Sequence, residues 1–301
     1  MAQSEITNPH AMFFEKVFSR TDVISDIIQY YLPQSIVKAL DISTIQLEPG
    51  SFITNDLKPT QSDLLFKVQT RDHLSIMLYF LFEHKSDMDR WIMLQLLGYI
   101  VQICHKQRAE NKQQRQEKRD KNKLANRPEN EGIKTEYLYP IIPVVFYHGK
   151  TRWKVNDFSE LFQGNIDTKY FPDFTYELIN LADYQDEYFK GNVIARVALM
   201  ALKHYFLDDY TEKVPQIFDL LASLLENYES EVAFIEALMR YLSTSKSCDK
   251  EWLKTNLKQS FKEKGEQVMN SIADLWIEEG KKEGKKEGKK EGKIEGAIEE
   301  A

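Results

Sequence analysis

The 301-residue chain contains only two cysteines, Cys104 and Cys248, which lie far apart. Because they have no Cys-x-x-Cys spacing, neither a disulfide framework nor a cysteine-based zinc site is expected. No uninterrupted apolar run approaches the ~20 residues that span a bilayer. The first ten residues lack the basic start and apolar stretch of a secretory signal. These absences predict a cytoplasmic protein in a reducing environment, with no membrane partner.

The composition is that of a folded protein with an acidic balance. Hydrophobic residues make up 42% of the chain and aromatic residues 12%, enough to bury a sizeable core. The 40 Lys and Arg against 47 Asp and Glu give a net charge of −7. This acidity argues against a nucleic-acid coat protein, but it does not exclude an enzyme that acts on nucleic acid, because local charge matters more than the total.

The first third of the chain predicts helices followed by paired strands. Residues 12–31 have apolar side chains at helical spacing, which predicts one helix or two short ones, and a short helix is expected over 34–40. Residues 43–53 suit a strand or an extended loop. Two β-prone runs, 63–70 and 74–84, flank Arg71-Asp72 and predict a β-hairpin. Its second strand is continuously apolar, which is typical of a central strand covered on both faces.

A long helix with a basic extension should follow the hairpin. Residues 88–107 form an amphipathic pattern with Asp87 as a candidate N-cap. Residues 105–127 then contain nine Lys and Arg against three Asp and Glu, a net charge of 9 − 3 = +6. This stretch predicts a solvated helix extension or a mobile loop. It could contact phosphates in a salt-sensitive, sequence-independent way, or serve only as a linker.

The second half predicts two more strands and then a helical region. Residues 138–149 and 174–180 read as strands, although two prolines interrupt the first. A four-residue Gly/Lys/Glu repeat fills 278–301. Each of its glycines destabilises a helix by about 1 kcal/mol, which is more than its ion pairs contribute. The repeat should therefore be mobile when it has no partner. Apolar residues at three- and four-residue spacing predict helices over 188–207, 214–228, 230–243 and 251–276.

Three ionisable residues should converge at one edge of the predicted sheet. Asp63 begins the first hairpin strand, and Glu83 and Lys85 end the second. Positions about ten residues on either side of the turn face each other, so the two carboxylates can meet. Residues two apart in a strand share a face, which brings Lys85 to Glu83. The bland alternative is a strand-capping Asp63 beside a solvated ion pair of little energetic value.

Such a set suits metal-assisted cleavage of phosphodiesters. Carboxylate oxygens are ligands for Mg²⁺ or Mn²⁺, and the carbonyl of His84 is a further candidate ligand. The metal would polarise the phosphate and lower the pKa of the attacking water. The ammonium of Lys85 can orient that water and offset developing charge. The imidazole of His84 should point away, because successive strand residues alternate.

These residues stand in segments that resemble a known family. The segments HAMFFEKVFS, YYLPQSIVKALDISTIQLEPGSFI, SDLLFKV, LFEHKSDMDRWIMLQLLGY and PIIPVVFYHGKTRW are similar to the Rpn recombination-promoting nucleases, also called YhgA-like transposases, of the PD-(D/E)xK nuclease superfamily. The resemblance runs through residues 8–180. It implies a metal-dependent DNA endonuclease linked to recombination or to mobile-element and phage conflict. It also implies an αβββαβ core with a mixed sheet flanked by helices.

The resemblance assigns roles residue by residue. Asp63 and Glu83 match the metal ligands and Lys85 the catalytic lysine, while Glu15 on the first core helix is a candidate further ligand. Gln95 and Tyr99 form a Q-x-x-x-Y pair that supports the site or the DNA in RecB-like relatives. Each also has a bland alternative, Glu15 as an exposed helix residue and Tyr99 as a core residue.

Two positions depart from the family pattern. The family has an acidic residue after the first histidine, but Ala11 follows His10 here, so the role of that acid is in doubt. The family often has glutamine at the position of Lys85. The lysine brings this chain closer to the general pattern of the superfamily. His148, in YHGK, is a turn residue or a functional one.

The predicted organisation has three parts and leaves two rival functions open. We expect a nuclease-like domain over 1–180, a helical C-terminal domain over 181–277, and the charged repeat over 278–301. DNA is the expected partner, and the helical domain offers a surface for homo-oligomers. A DDE-type transposase would need three separated carboxylates on another core, and strand-transfer products would reveal it. A catalytically inactive DNA- or protein-binding module of the same fold would show no cutting with any metal.

Overall fold

A computed structural model describes most of the chain as two compact units, Met1–Ala195 and Arg196–Ala301. The predicted domain limits at 180 and 277 stay predictions. The repeat over 278–301 lies outside the described part. The structure describes residues 9–48, 63–72, 74–83, 89–133, 135–150, 153, 157–164, 167–224, 229–245, 249–274 and 277.

A five-stranded mixed sheet forms the centre of the first unit. Its strands lie side by side in chain order, the first three antiparallel and the last three parallel. The predicted hairpin is confirmed, and its connection is closed by the Thr70 amide, which donates to the Leu74 carbonyl at 2.6 Å. The strands are β1 (Leu40–Leu47), β2 (Leu64–Thr70), β3 (Ser75–Glu83), β4 (Ile141–Tyr147) and β5 (Glu177–Asn180).

Three N-terminal helices precede the sheet, and the first covers one of its faces. Residues 12–31 form two helices rather than one, α1 (Pro9–Phe18) and α2 (Thr21–Tyr31), and α3 (Gln34–Ala39) follows. The buried rings of Phe14 and Phe18 on α1 lie 5.3 and 5.1 Å from the ring of Phe146 on β4. Even-numbered β4 residues therefore face α1.

The opposite face of the sheet is covered by one long helix, α4 (Ile92–Leu124). Its buried residues Leu96 and Tyr99 pack in one cluster with Met77, Tyr79 and Tyr147 from the sheet. The predicted cap Asp87 lies outside the described residues, and the side chain of Asp89 accepts a hydrogen bond from the Trp91 amide at 2.8 Å. The basic stretch continues α4 to Leu124, so the expectation of a helix extension is confirmed and a loop is excluded up to that residue.

The C-terminal part of the chain is helical, as its spacing predicts. Residues 265–274 are also helical. No helix in the described ranges is long and apolar enough to cross a bilayer. The C-terminal helices are α5 (Val193–His204), which crosses the division between the units, α6 (Tyr210–Leu224), α7 (Val232–Leu242) and α8 (Lys250–Phe261).

Candidate active site at the sheet edge

The candidate residues lie along one edge of the sheet, where β3, β4 and β5 end. Glu83 is paired with Tyr147, and Tyr147 is paired with Asn180, so the three parallel strands end together. Because β2 is antiparallel to β3, its first residues lie at the same edge, with Leu64 opposite Phe80. The backbone therefore brings the positions of Asp63 and Glu83 to the same end of the sheet, while the convergence of their side chains stays a prediction.

The register differs slightly from the one expected. Leu64 is the first residue of β2 and pairs with Phe80, so Asp63 comes one residue before that pair and Glu83 three residues after it. The two acids are offset diagonally rather than directly opposite, because the hairpin turn is centred one residue nearer the N-terminus. The side chain of Glu83 and all of His84 and Lys85 lie outside the described part, and their roles stay predictions.

Asp63 lies against the hydroxyl of a buried tyrosine on β3. Its Oδ1 atom is shielded from solvent, and its carboxylate acts on Tyr79, which is 4% exposed. Burial raises the pKa of Tyr79 well above its usual 10.0, and the Asp63 carboxylate and the Tyr99 hydroxyl raise it further. The Tyr79 hydroxyl makes no hydrogen bond of ordinary geometry with a described residue. The Asp63 carboxylate and the Tyr99 hydroxyl still lie close enough to act on this hydroxyl through Coulomb and hydrogen-bonding interactions, and the phenol is protonated at neutral pH.

The helix α4 brings Tyr99 into the same group. The Tyr99 ring lies 5.1 Å from the Tyr79 ring, centroid to centroid, and Tyr99 is 6% exposed. Gln95, one turn earlier, is half-buried, and its side chain makes no hydrogen bond within the described ranges. The tyrosine of the Q-x-x-x-Y pair thus lies near Asp63 through Tyr79, while no such contact is seen for the glutamine.

Glu15 lies apart from this group. It is exposed on α1, the helix that packs on the Phe146 face of the sheet, whereas Tyr79 and Tyr99 pack on the other face. Partial burial raises the pKa of Glu15. Among the described residues, no three His, Cys, Asp or Glu side chains are grouped so that they could hold a metal. The metal roles of Asp63, Glu83, His84 and Glu15 therefore stay predictions.

Two histidines meet where α1 approaches the end of β4. His148 follows Tyr147 directly and is 2% exposed, and its ring lies 5.3 Å from that of His10. His148 is therefore a buried residue at the candidate edge and not an exposed turn residue. Ala11 is also buried, so an acid in its place would lie inside the fold beside this pair.

Tyr79 is the residue that sequence reasoning missed. In the sequence Tyr79 belongs to a continuously apolar strand, although its phenol is the sole group with a polar tip in the run from Ile76 to Phe82. Tyr79 stands four residues before Glu83 in the same strand, so strand alternation assigns the two positions to the same face. The hydroxyl of Tyr176, which accepts a hydrogen bond from Trp153 Nε1 at 2.9 Å, is a second buried polar group that packs on this face.

The described part of this edge suits a hard divalent cation. Asp63 is half-buried and supplies carboxylate oxygens, the ligand type that Mg²⁺ and Mn²⁺ prefer, with its Oδ1 atom shielded from solvent. A cation beside a half-buried carboxylate is favoured, because opposite charges attract more strongly where water is partly excluded. The backbone of β3 brings a second acidic residue, Glu83, to the same edge. The residues present are therefore consistent with a bound metal ion.

The fold and the family can now be stated. A five-stranded mixed sheet between α1 and α4, with an acid at the start of β2, is an α/β fold of the PD-(D/E)xK type. The profile of the family described as "Putative transposase, YhgA-like" matches residues 8–232. The chain belongs to this family.

Named relatives fall in one group. The chain is 28% identical to the recombination-promoting nuclease RpnA of Escherichia coli K12 over 50% of this chain and 43% of that one. It is 25% identical to RpnD of Escherichia coli O157:H7 over 80% of this chain and 84% of RpnD. It is also 25% identical to the inactive nuclease-like protein RpnE of strain K12, over 50% of this chain and 42% of RpnE. The chain thus spans less than half the length of RpnA and RpnE. No solved structure matches it.

Proposed function

We propose that the chain is a metal-dependent DNA endonuclease that hydrolyses phosphodiester bonds and promotes recombination. The observation that carries the proposal is the position of Asp63, with its Oδ1 atom shielded from solvent beside the Tyr79–Tyr99 pair, at the edge where β3 ends with Glu83. The relatives named as recombination-promoting nucleases support it.

The proposed roles divide between ligands and a positioning group. Asp63 and Glu83 would hold Mg²⁺ or Mn²⁺, together with the carbonyl of His84. When bound, the metal supplies Lewis-acid activation of the phosphate and of a water molecule. Lys85 would orient that water towards the phosphorus and offset the negative charge that develops in the transition state. Glu15 and Gln95 would complete the site only if the DNA complex brings them closer.

Tyr79 and Tyr99 would position Asp63 rather than touch the substrate. A protonated, buried phenol can donate a hydrogen bond to a carboxylate oxygen and fix its orientation. Because the pKa of Tyr79 is raised, the phenol keeps its proton throughout the neutral range. The aromatic pair also keeps water away from one side of the carboxylate, which strengthens its attraction to a cation.

Plasmid cleavage tests the proposal. Supercoiled DNA is incubated with Mg²⁺ or Mn²⁺ and the wild-type chain, Asp63→Asn, Lys85→Ala or the control Asp173→Asn, which changes an exposed aspartate elsewhere in the first unit. We expect cutting by wild type and control, at least about 100-fold slower cutting by the two site variants, and none in EDTA. Equal cutting by all four proteins would show that the activity comes from another site.

An inactive DNA-binding module is the second candidate. It is favoured by one observation, the similarity to RpnE, a relative named as inactive. This candidate predicts that the wild type binds DNA but cuts neither single- nor double-stranded DNA with Mg²⁺, Mn²⁺, Co²⁺ or Ca²⁺. The same plasmid assay, combined with a binding measurement, therefore separates the two.

A further inference from the structure

The distal half of α4 has five basic residues on one side. Arg108, Lys112, Arg115, Arg119 and Lys123 follow one another at intervals of four, three, four and four residues. Residues at these intervals lie above one another on a helix, so the five form a single line, here called the basic stripe. At 1.5 Å per residue the stripe is about 22 Å long.

The acidic residues of the same segment are engaged elsewhere. Glu110 and Glu117 lie two residues from stripe positions, on the far side of the helix, because two residues turn it by about 200°. Glu110 pairs with Lys106 at 3.7 Å, and Glu117 accepts a hydrogen bond from Gln113 at 3.0 Å. Asp120 accepts from Gln116 at 3.0 Å. Within the described residues, none of these three acids forms an ion pair with a basic residue of the stripe.

Most of the stripe is open to solvent and not neutralised. Arg108, Lys112 and Lys123 are exposed and have no ion-pair partner within the described part of the chain. Arg115 lies 3.6 Å from Glu136, and Arg119 donates to the neutral side chain of Asn130 at 3.2 Å. At least three full positive charges thus point outwards along the line.

A second segment braces this part of the helix. Gln107 accepts a hydrogen bond from the Tyr139 amide at 2.6 Å, and Asn111 donates to the Tyr137 carbonyl at 3.1 Å. Further along, Asn122 donates to the Glu129 and Glu131 carbonyls at 3.2 and 3.0 Å. These amides occupy a neighbouring side of α4, so residues 129–139 run back along the helix. The brace contacts Arg115 and Arg119 through Glu136 and Asn130 and leaves Arg108, Lys112 and Lys123 exposed.

We infer that the basic stripe binds the phosphate backbone of duplex DNA, at a surface separate from the candidate active site. Arg108 is nine residues beyond Tyr99, about 13 Å along the helix. A line of about 22 Å matches six or seven phosphates of one strand, which are spaced about 3.4 Å along the duplex axis. The five stripe residues include no aromatic side chain, so they would contact a nucleic acid through charge and not by stacking on its bases.

The net charge of the C-terminal repeat argues against that repeat as the partner of the basic stripe. The repeat over 278–301 has eight glutamates and seven lysines, a net charge of 7 − 8 = −1, so it is not the strongly anionic partner that the stripe requires. The inference rests on the proposed function only in taking DNA as the partner. It adds a docking surface that extends the DNA footprint away from the sheet edge.

The test measures binding without cleavage. Fluorescence anisotropy of a ~20-base-pair duplex is recorded in EDTA over a series of salt concentrations, with the full chain. Lys112→Gln/Lys123→Gln removes two stripe charges, and Lys106→Gln/Lys121→Gln removes two charges from other sides of α4. For the stripe variant we expect about tenfold weaker binding and a slope of log K against log salt that is less negative by about 2, with little change for the control. Circular dichroism verifies that both variants fold.

Two results would overturn the inference. One is an equal loss of affinity for the duplex in both variants, which would mean that the effect depends on the total charge of the protein and not on the stripe. The other is a stripe variant that loses affinity only for a single strand of the same length. Binding is measured in EDTA, so it is independent of metal-dependent cutting. If the chain binds DNA through the stripe but does not cut it when Mg²⁺ or Mn²⁺ is supplied, only the endonuclease proposal is refuted.

Discussion

The ring of Tyr99 on α4 lies 5.1 Å from the ring of Tyr79 on β3, and the Tyr79 hydroxyl lies beside the carboxylate of Asp63. The helix that follows the hairpin is thereby coupled to the first acid of the candidate site. The tyrosine of the Q-x-x-x-Y pair acts on the site through a second tyrosine rather than by itself. This chain of contacts is the basis for the proposed positioning role of Tyr79, which otherwise looks like an ordinary core residue.

Removal of the Tyr79 hydroxyl should lower nuclease activity without unfolding the protein. Tyr79→Phe keeps the ring but loses the group beside Asp63, and we expect roughly tenfold slower plasmid cleavage, the effect of about one hydrogen bond. The free energy of unfolding in urea should fall by no more than about 1.5 kcal/mol, the net value of one hydrogen bond, because the ring and its packing are kept. Unchanged cleavage would contradict a positioning role.

A combined variant separates positioning from packing. If Tyr79 acts through Asp63, then Tyr79→Phe should have almost no further effect on cleavage in an Asp63→Asn background, since the two changes remove one coupled unit. Tyr176→Phe, which changes another buried hydroxyl on the same face, is the matched control and should leave cleavage close to wild type. Additive losses in the double variant would show that the two residues act independently.

The raised pKa of Tyr79 predicts a stability loss in alkali. Below pH 10.0 the phenol is protonated in both the folded and the unfolded states. Above pH 10.0 the unfolded chain loses this proton while the folded chain keeps it, so stability falls as pH rises, by up to about 1.4 kcal/mol per pH unit for this group. Urea unfolding between pH 9 and 11 should therefore give a steeper decline for wild type than for Tyr79→Phe. Equal slopes would mean that the folded pKa is close to 10.

The contact of α1 with the sheet should dominate the stability of the first unit. Phe146 is fully buried against the stacked rings of Phe14 and Phe18, so Phe146→Ala should cost about 3–5 kcal/mol of unfolding free energy. Phe162→Ala removes the same number of atoms from a half-exposed ring and should cost much less. Chemical denaturation of both variants measures the difference. Similar losses would show that α1 is loosely held.

Much of the fold could be predicted from the sequence because its signals are local. The hairpin follows from two β-prone runs around Arg71-Asp72, and the helical C-terminal part follows from apolar spacing. The hairpin register was missed by a small margin, since a one-residue shift of the turn centre moves Asp63 relative to Glu83 without changing the pattern of either strand. The composition of 105–127 could not distinguish a helix from a loop, because bracing by residues 129–139 is a long-range effect.

The site was only partly predictable for a similar reason. Asp63 could be named because acids at strand ends are visible in the sequence, whereas the roles of Tyr79 and His148 depend on tertiary contacts. Tyr79 is defined by the approach of α4, and His148 by its contact with His10 on α1. Neither contact has a signature within the surrounding residues.

The most direct measurement for the central claim is the position of a bound metal. Crystals of the wild-type chain grown with Mn²⁺ would reveal the ion through its anomalous scattering. The account predicts one ion within about 2.0–2.6 Å of a carboxylate oxygen of Asp63 and one of Glu83, and no ion at that edge in Asp63→Asn. An ion bound elsewhere, with Asp63 still turned towards Tyr79 and Glu83 beyond its reach, would contradict the account.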